Sequence, residues 1–350
     1  MYTNQNIKRL GFACKWVEIN KKGEISSVEG LNTGGTTHAW AKRQIREKAE
    51  EKVLDVAKRN IVNTHNLIKK VATLDPRLRM VRLTSDMLSF YTMDDWKPFW
   101  QSSTVRNLLE RWFAPLGETA RQNDVRVSFH PDQFVVLASD RPEVVNKSIE
   151  EFEYHVDMAR WMGYGKKFQD IKINVHISGR AGVEGFRQSY KRLSDEARNS
   201  ITIENEEISY GLNDCLQLSD IIPIVLDIHH HWIREGEYIQ TTDDRVKRVI
   251  DSWRDRRPTC HYSVSREDIL ANHCVHTLPN HKVLLESGHN KQKLRAHSDY
   301  YWNDQVNHWA LTFNEYFDIM CESKAKNLAS MRLFEAYNKS NTLIVEDSYV

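Results

Sequence analysis

Short runs of apolar and β-branched residues recur along the chain, separated by longer stretches whose apolar positions fall at helical spacing. The first run is RLGFA (9–13), followed by a charged stretch from Ala41 to about Val71 with apolar residues near every third or fourth place. Next come RMVRLTS (79–85), a helical 104–122, VRVSFH (125–130), a helical 142–162 and IKINVHI (171–177). The pattern continues with a helical 184–197, SITIEN (200–205), a helical 212–219, IPIVLDIHH (222–230), a helical 243–255 and PTCHYS (258–263). It closes with a helical 302–316, FDIMCES (317–323) and a helical 324–337. Near-continuous apolar runs of this length mark strands covered on both faces, as in parallel sheets. Alternation of strand and helix predicts α/β architecture. Eight such units favour a single (β/α)8 TIM barrel over an open sheet. No GxGxxG or GxxxxGK[ST] loop follows the first strand, as it often would in an open nucleotide-binding sheet.

Three stretches stand outside the repeat. Residues 18–38 carry Gly23, Gly30, Gly34 and Gly35 and read as a loop. Residues 264–300, polar and rich in histidine, read as an insertion after strand seven, and 338–350 as a poorly ordered tail. No Pro-, Gly- or Ser-rich linker divides the chain, so residues 1–350 are read as one barrel domain. Composition then narrows the choice. Basic residues number 49 and acidic ones 48, a net charge of +1, so the chain lacks the overall basic character of many DNA binders. That balance leaves room for a local basic groove around an acidic site. The five cysteines form no CxxC pair, which argues against a disulfide framework or zinc finger and for reduced thiols in an intracellular, cytoplasmic protein. The opening MYTNQNIKRLGFACKW does not read as a signal peptide, and no apolar run reaches the ~18 residues of a membrane span.

Candidate chemistry gathers at the predicted strand ends. Strand three ends at His130, strand four near His176 and strand five at Glu204. Strand six carries Asp227 followed by His229, His230 and His231; strand seven holds His261, and strand eight ends near Glu322. A lone histidine at a strand end is more often a hydrogen-bonded structural residue than a ligand. Six consecutive strands finishing this way favour metal binding, because a barrel brings those ends to one face, where active sites sit. Imidazole with carboxylate suits zinc, manganese or iron, whereas an all-oxygen set suits magnesium or calcium. So many ligands exceed the needs of one four-coordinate ion and point to two or three. Two ions about 4 Å apart can clamp the attacking and leaving oxygens of an in-line phosphate displacement. Strand alternation favours the neighbours of Cys260 and Cys321 over the thiols themselves.

The segments RLGFACKW (9–16), VRVSFHPDQF (125–134), INVHISG (173–179), ITIENEE (201–207), VLDIHHH (225–231), PTCHYSVSRE (258–267), AHSDYY (296–301) and DIMCESKAKNLASMRL (318–333) resemble, in order, the UV damage endonuclease family. The resemblance implies a TIM barrel of the apurinic endonuclease and xylose isomerase superfamily. It also implies hydrolysis of the phosphodiester immediately 5′ of a UV-damaged or otherwise distorted nucleotide, leaving a 3′-hydroxyl. Damaged double-stranded DNA is the implied partner, and a monomer is expected. The implied cofactors are two or three divalent ions, with Mn2+ usual and Zn2+, Mg2+ or Co2+ as alternatives. Carried over by position, the implied metal ligands are His130, His176, Glu204, Asp227, His230, His261, His297 and Glu322. His130, Glu204, Asp227 and Glu322 are the implied catalytic residues. His230 is chosen from its triplet because the family pattern places a histidine three after the aspartate. Gln133 matches a residue pushed into the DNA stack beside the lesion, where weakened pairing lowers the cost of opening. Phe134 stands where a tyrosine is common.

Other positions depart from the family pattern. Phe12 and Trp16 replace a tyrosine and an asparagine, Thr92 or Met93 occupies the region of an expected histidine, and Thr259 stands where some relatives carry a modified, metal-bridging lysine. Two ions therefore follow more directly than three. Trp96, Phe99 and Trp100 read as helix-packing residues, and Arg180 and Lys191 as surface with an option of phosphate contact. The run 42–59 reads as an exposed helix face, and His273, His276, His281 and His289 as solvated. Two rivals fit the same residues. A metal-dependent sugar isomerase or epimerase predicts an enclosed pocket with a lysine or carboxylate pair for proton transfer. A non-catalytic damaged-DNA-binding protein predicts lesion binding without metal-dependent nicking.

Overall fold

Each of the eight predicted apolar runs folds as a parallel strand, and together they close into a barrel. The computed structural model describes residues 3–131 and 135–347, so Gln133 and Phe134 lie outside the described residues. The strands are β1 (Leu10–Ala13), β4 (Met80–Arg82), β5 (Arg126–Phe129), β6 (Lys172–His176), β7 (Ile201–Glu204), β8 (Ile224–Asp227), β9 (Thr259–Tyr262) and β10 (Asp318–Cys321). Their order around the barrel is β1-β10-β9-β8-β7-β6-β5-β4. A two-stranded antiparallel sheet, β2 (Val17–Ile19) with β3 (Ile25–Ser27), lies outside it. Helices pack around the barrel; along the helix Arg46–Ala72 the buried positions Ala49, Val53, Val56, Ile61, Ile68 and Val71 recur at helical spacing.

Several boundaries differ from the sequence reading, each for a local reason. Residues 18–38 contain the β2–β3 hairpin rather than only loop; these short polar strands carry little apolar alternation to reveal them. The run 222–230 is strand only to Asp227, whose side chain accepts the His230 amide at 2.7 Å and starts the helix Ile228–Glu235. The helical 184–197 splits into Gly182–Tyr190 and Asp195–Ser200, because Ser194 caps the second helix on the Ala197 amide. The last helix runs from Lys326 to Asp347, past the expected tail boundary, with no Gly or Pro to stop it. In the insertion, Ser265 bridges His297, and two short helices follow the loop. His281 there is buried against Trp232 with ring centroids 5.4 Å apart, so it is not solvated. Phe12, Trp16, Trp96 and Trp100 are also buried, as packing residues.

The barrel interior is polar along much of its length, with Ser128, Lys172, Asn174, Thr202 and Thr259 buried at inward strand positions. Ala13, Met80 and Met320 form a small apolar cluster on one side of it. Gly11 is required beside it, because an added Cβ would lie 2.6 Å from Met80 Cγ and 2.9 Å from its carbonyl oxygen. At the N-terminal end, Asp318 is 0% exposed and receives Arg126 at 2.6 Å, Arg257 at 2.9 Å and the Arg9 amide at 2.9 Å. Removing one partner of a buried ionic cluster leaves the others uncompensated. Asp318→Ala is expected to destabilise the fold by roughly 3–5 kcal/mol, read as a lower midpoint in urea; an unchanged midpoint would contradict this role for the cluster.

A second stability element is pH-dependent. His155 is buried between Ser85 Oγ and the Glu151 carbonyl, each 2.8 Å away, and burial pushes its pKa down to about 4. Its stabilising contribution is present above the unfolded value near 6.5 and is lost as pH falls towards 4, because the unfolded chain takes up the proton first. Between pH 7.5 and 5.0, His155→Gln should lose roughly 2 kcal/mol less stability than the unaltered chain. Parallel denaturation curves at the two pH values would exclude this.

Candidate metal centre at the barrel mouth

Glu204, the last residue of β7, sits at the middle of a cluster drawn from four other strand ends. His261 Nδ1 is 3.0 Å from Glu204 Oε2, His130 Nε2 is 3.4 Å and His176 Nε2 3.9 Å from the same oxygen, and His230 Nδ1 is 3.6 Å from Oε1. Parallel pairing produces this convergence: His176 is in register with Glu204, and Asp227 with His261. Glu322, which follows β10, approaches His261 Nδ1 at 3.2 Å and is bound by Arg82 from the end of β4. His297, brought over by the insertion, lies with its ring centroid 6.3 Å from that of His229 and has Glu322 and His230 as charged neighbours.

Two overlapping sets of three ligand atoms are close enough to hold an ion: His130, His176 and Glu204, and Glu204, Asp227 and His261. Glu204 belongs to both. Orphaned polar atoms fit the same use. Asp227 Oδ2 and His176 Nδ1 are buried without a hydrogen-bond partner among the described residues, and unpaired buried polar atoms are costly. Asp227 divides its oxygens: Oδ1 caps the helix and Oδ2 is left over. That helix also sorts the histidine triplet, since successive residues turn about 100° apart. His230 faces the cluster, while His229 stacks on Trp232 and His231 pairs with Glu237 at 2.9 Å.

Neighbouring groups orient these side chains. His130 Nδ1 donates to the Pro131 carbonyl at 3.0 Å, which leaves Nε2 towards Glu204. His230 Nδ1 lies 3.0 Å from the Asn205 carbonyl, and its Nε2 faces Glu207 at 3.6 Å. Asn174 donates to Glu204 and accepts from Thr202. The Asn205 side chain exchanges two hydrogen bonds with the backbone of Asp227. Sequence reasoning missed Arg82, Lys172, Asn174, Asn205, Glu206 and Glu207. For three of them a signal existed. Lys172, Asn174 and His176 alternate with apolar residues in IKINVHI, as an inward polar face would, and Arg82 interrupts an apolar strand.

The electrostatics follow from crowding. Burial would raise Glu204, but His261, His176 and His130 hold it well below the carboxylate range. Asp227 goes the other way, pushed well up by burial with Glu204 and Glu322 adding to it. Burial opposes a charge on His230, yet Asp227, Glu204, Glu207 and Glu322 raise it to about 9. His261 falls to about 4 through burial, with Lys172 reinforcing the fall against Glu204. Lys172 itself is pushed down to about 7, chiefly by burial.

A cavity of about 590 Å³ adjoins the cluster on the side of the post-β4 loop. It is lined by Lys15, Gly34, Gly35, Ser85, Phe90 and Met93 among others, and Ser85 Oγ donates to the His130 carbonyl at 3.3 Å. Thr92 and Met93 line this cavity rather than the ligand cluster. Arg180 and Lys191 are exposed.

This architecture has known counterparts. The sequence model of the family described as UV-endonuclease UvdE matches residues 8–347. The UV DNA damage endonuclease of Bacillus cereus (strain 03BB102) is 25% identical over 300 residues, covering 83% of this chain and 84% of that protein. The enzyme of the same name from Bacillus anthracis (strain A0248) is 24% identical over 300 residues, with the same coverage. The crystal structure of SacUVDE shares the fold, with a TM-score of 0.71 at 23% identity over 95% of this chain and 99% of that one. Endonuclease IV from Thermus thermophilus shares it more distantly, with a TM-score of 0.51 at 13% identity over 79% and 94%. With the family pattern spanning almost the entire sequence, from before β1 to the end of the last helix, this chain belongs to the UV-endonuclease UvdE family, the UV damage endonucleases.

Proposed function

We propose that this chain hydrolyses the DNA phosphodiester immediately 5′ of a UV-damaged or otherwise distorted nucleotide, using divalent ions held at the barrel mouth. The observation that carries the metal part is the shared Glu204, flanked by two ligand sets with orphaned buried atoms. His130, His176, Glu204, Asp227, His230, His261, His297 and Glu322 are the proposed ligands, for two ions; mixed imidazole and carboxylate suit zinc, manganese or iron, and the family resemblance makes Mn2+ the first choice. Divalent ions in such a site supply a nucleophile near neutral pH and neutralise phosphate charge. The chain's own residues do the rest. The carbonyls of Pro131 and Asn205 set the two imidazole orientations, Asn174 steadies Glu204, and Arg82 steadies Glu322. Arg82 also adds positive charge at the mouth of a chain whose net charge is only +1.

Gln133 and Phe134 are the proposed DNA-probing pair. Gln133 stands three residues after His130 in the sequence. Among the described residues no helix is long and apolar enough to cross a membrane. The proposed partner is damaged duplex DNA, bound by one copy of a single barrel domain. Lys172 does not favour the isomerase reading: it is buried against His261 and only 4% exposed.

UV-irradiated supercoiled plasmid should be nicked with Mn2+ present and left intact with a chelator. Glu204→Gln should lower the rate more than about 100-fold, since changes to mere outer partners of metal ligands already cost 10–100-fold. Nicking that persists undiminished in chelator would defeat the metal mechanism. Independently, Mn2+ at about 100 times its Kd should stabilise the fold by about 2.7 kcal/mol. Calorimetric titration should count two equivalents for the unaltered chain and one for His176→Ala; equal counts would disprove the two-set arrangement.

A further inference from the structure

Lys326 opens the last helix under costs that no contact offsets. Its backbone is left-handed, with φ +53°, a region that lysine rarely adopts. Asp124 and Arg254 share that conformation, but each follows a helix, where a left-handed residue commonly ends the spiral. Lys326 takes it at a helix start. There the macrodipole disfavours a cation, and the first turn carries no acidic residue to balance it. The side chain is half-buried, yet its ammonium makes no hydrogen bond or ion pair among the described residues. Glu322 is a charged neighbour, but Arg82 and His261 already hold it. Strained backbone of this kind collects at functional sites.

The other neighbours are cations. Lys15 follows β1 and Arg82 ends β4, and β10, β1 and β4 are consecutive around the barrel. Lys15 is exposed, makes no hydrogen bond or ion pair of its side chain among the described residues, and lines the cavity beside the cluster. Cys14, between Lys15 and the end of β1, is a second left-handed residue here, with φ +70°. The two ligand sets come instead from β5 to β9, across the mouth. Like charges gathered without counter-ions create a local field that attracts an anion. In a chain of net charge +1 this is a particular sector and not a generally basic surface.

Resting on the DNA reading above, we propose that Lys326, with Lys15 beside it, binds a DNA backbone phosphate flanking the one that is cut. Lys326 borders the metal centre through Glu322, at the margin of the cluster, so the phosphate it takes lies next to the ion-held one. Its ammonium offers three donors and a compact charge, which suits a phosphate oxygen.

The test uses the full chain with Mn2+ present. Binding to an unirradiated duplex, which the proposed reaction leaves uncut, is followed by fluorescence anisotropy from about 50 to 200 mM salt. On the irradiated duplex, kcat and KM are measured. Lys326→Gln should weaken duplex binding roughly tenfold, with a similar rise in KM. It should also reduce the slope of log affinity against log salt by about 0.9, the share of one phosphate contact. Lys326→Arg should restore the slope. Lys166→Gln, at an exposed lysine ahead of β6 and so at the opposite end of the barrel, should leave it unchanged. Lys326→Asn, whose side chain tolerates left-handed backbone, should raise the unfolding midpoint while losing the same affinity. A salt slope in Lys326→Gln and Lys326→Asn equal to that of the unaltered chain, or a loss confined to kcat, would overturn the proposal. If the unaltered chain neither binds duplex nor nicks irradiated DNA, the DNA reading itself falls.

Discussion

Carboxylates brought together out of water set the terms for the rest of this structure. Glu204 and Asp227 are buried, Glu322 is mostly so, and Glu206 and Glu207 stand at the rim. A charge removed from water costs several kcal/mol unless compensated. Imidazoles, Arg82 and Lys172 supply part of the compensation, and Asp227 Oδ2 still lacks a hydrogen-bond partner among the described residues. An isolated helix or an open sheet edge would let such groups move apart into solvent. A closed barrel does not, because eight strands hold their ends in a ring whose register is locked by the backbone ladder.

The same ring solves the opposite problem at its other end. Asp318 draws Arg9, Arg126 and Arg257 into a plug where one carboxylate meets three guanidinium groups, one of them through a longer 3.6 Å approach from Arg9. Carboxylates gather at the mouth and guanidinium groups at the base, and the barrel between them holds the small apolar cluster of Ala13, Met80 and Met320 beside buried polar side chains such as Ser128 and Lys172. The division matches what barrels do generally, with chemistry on the C-terminal face and stability on the N-terminal one. Nearly balanced overall charge therefore conceals two strongly charged ends.

Local backbone choices decide which side chains reach the mouth. At the end of β8, Asp227 turns strand into helix, and the 100° step of that helix selects His230 from three adjacent histidines. At β9 the strand alternation sends His261 inward and leaves Cys260 and Tyr262 to the surrounding core. After β9 the insertion folds back through the Ser265–His297 bridge, which carries a histidine remote in sequence to the rim of the same cluster.

Much of this was legible in the chain before folding. Apolar runs at regular intervals dictated eight buried parallel strands, because only residues covered on both faces dispense with polar alternation. Acidic and imidazole residues at His130, His176, Glu204, Asp227, His261 and Glu322 were placed at one end of the barrel, since barrel geometry gathers strand ends whatever their sequence separation. The hairpin at 17–27 and the break at 191–194 were not legible, being set by short-range caps and exposed pairing with weak periodicity. Nor were the partnerships across the lumen. That Lys172 meets His261, that Arg82 meets Glu322, and that Glu204 is shared by two ligand sets depend on strand order, stagger and inward direction. Sequence alone determined which residues stand at the strand ends; only the closed barrel, by fixing distances between groups far apart along the chain, decided which of them touch.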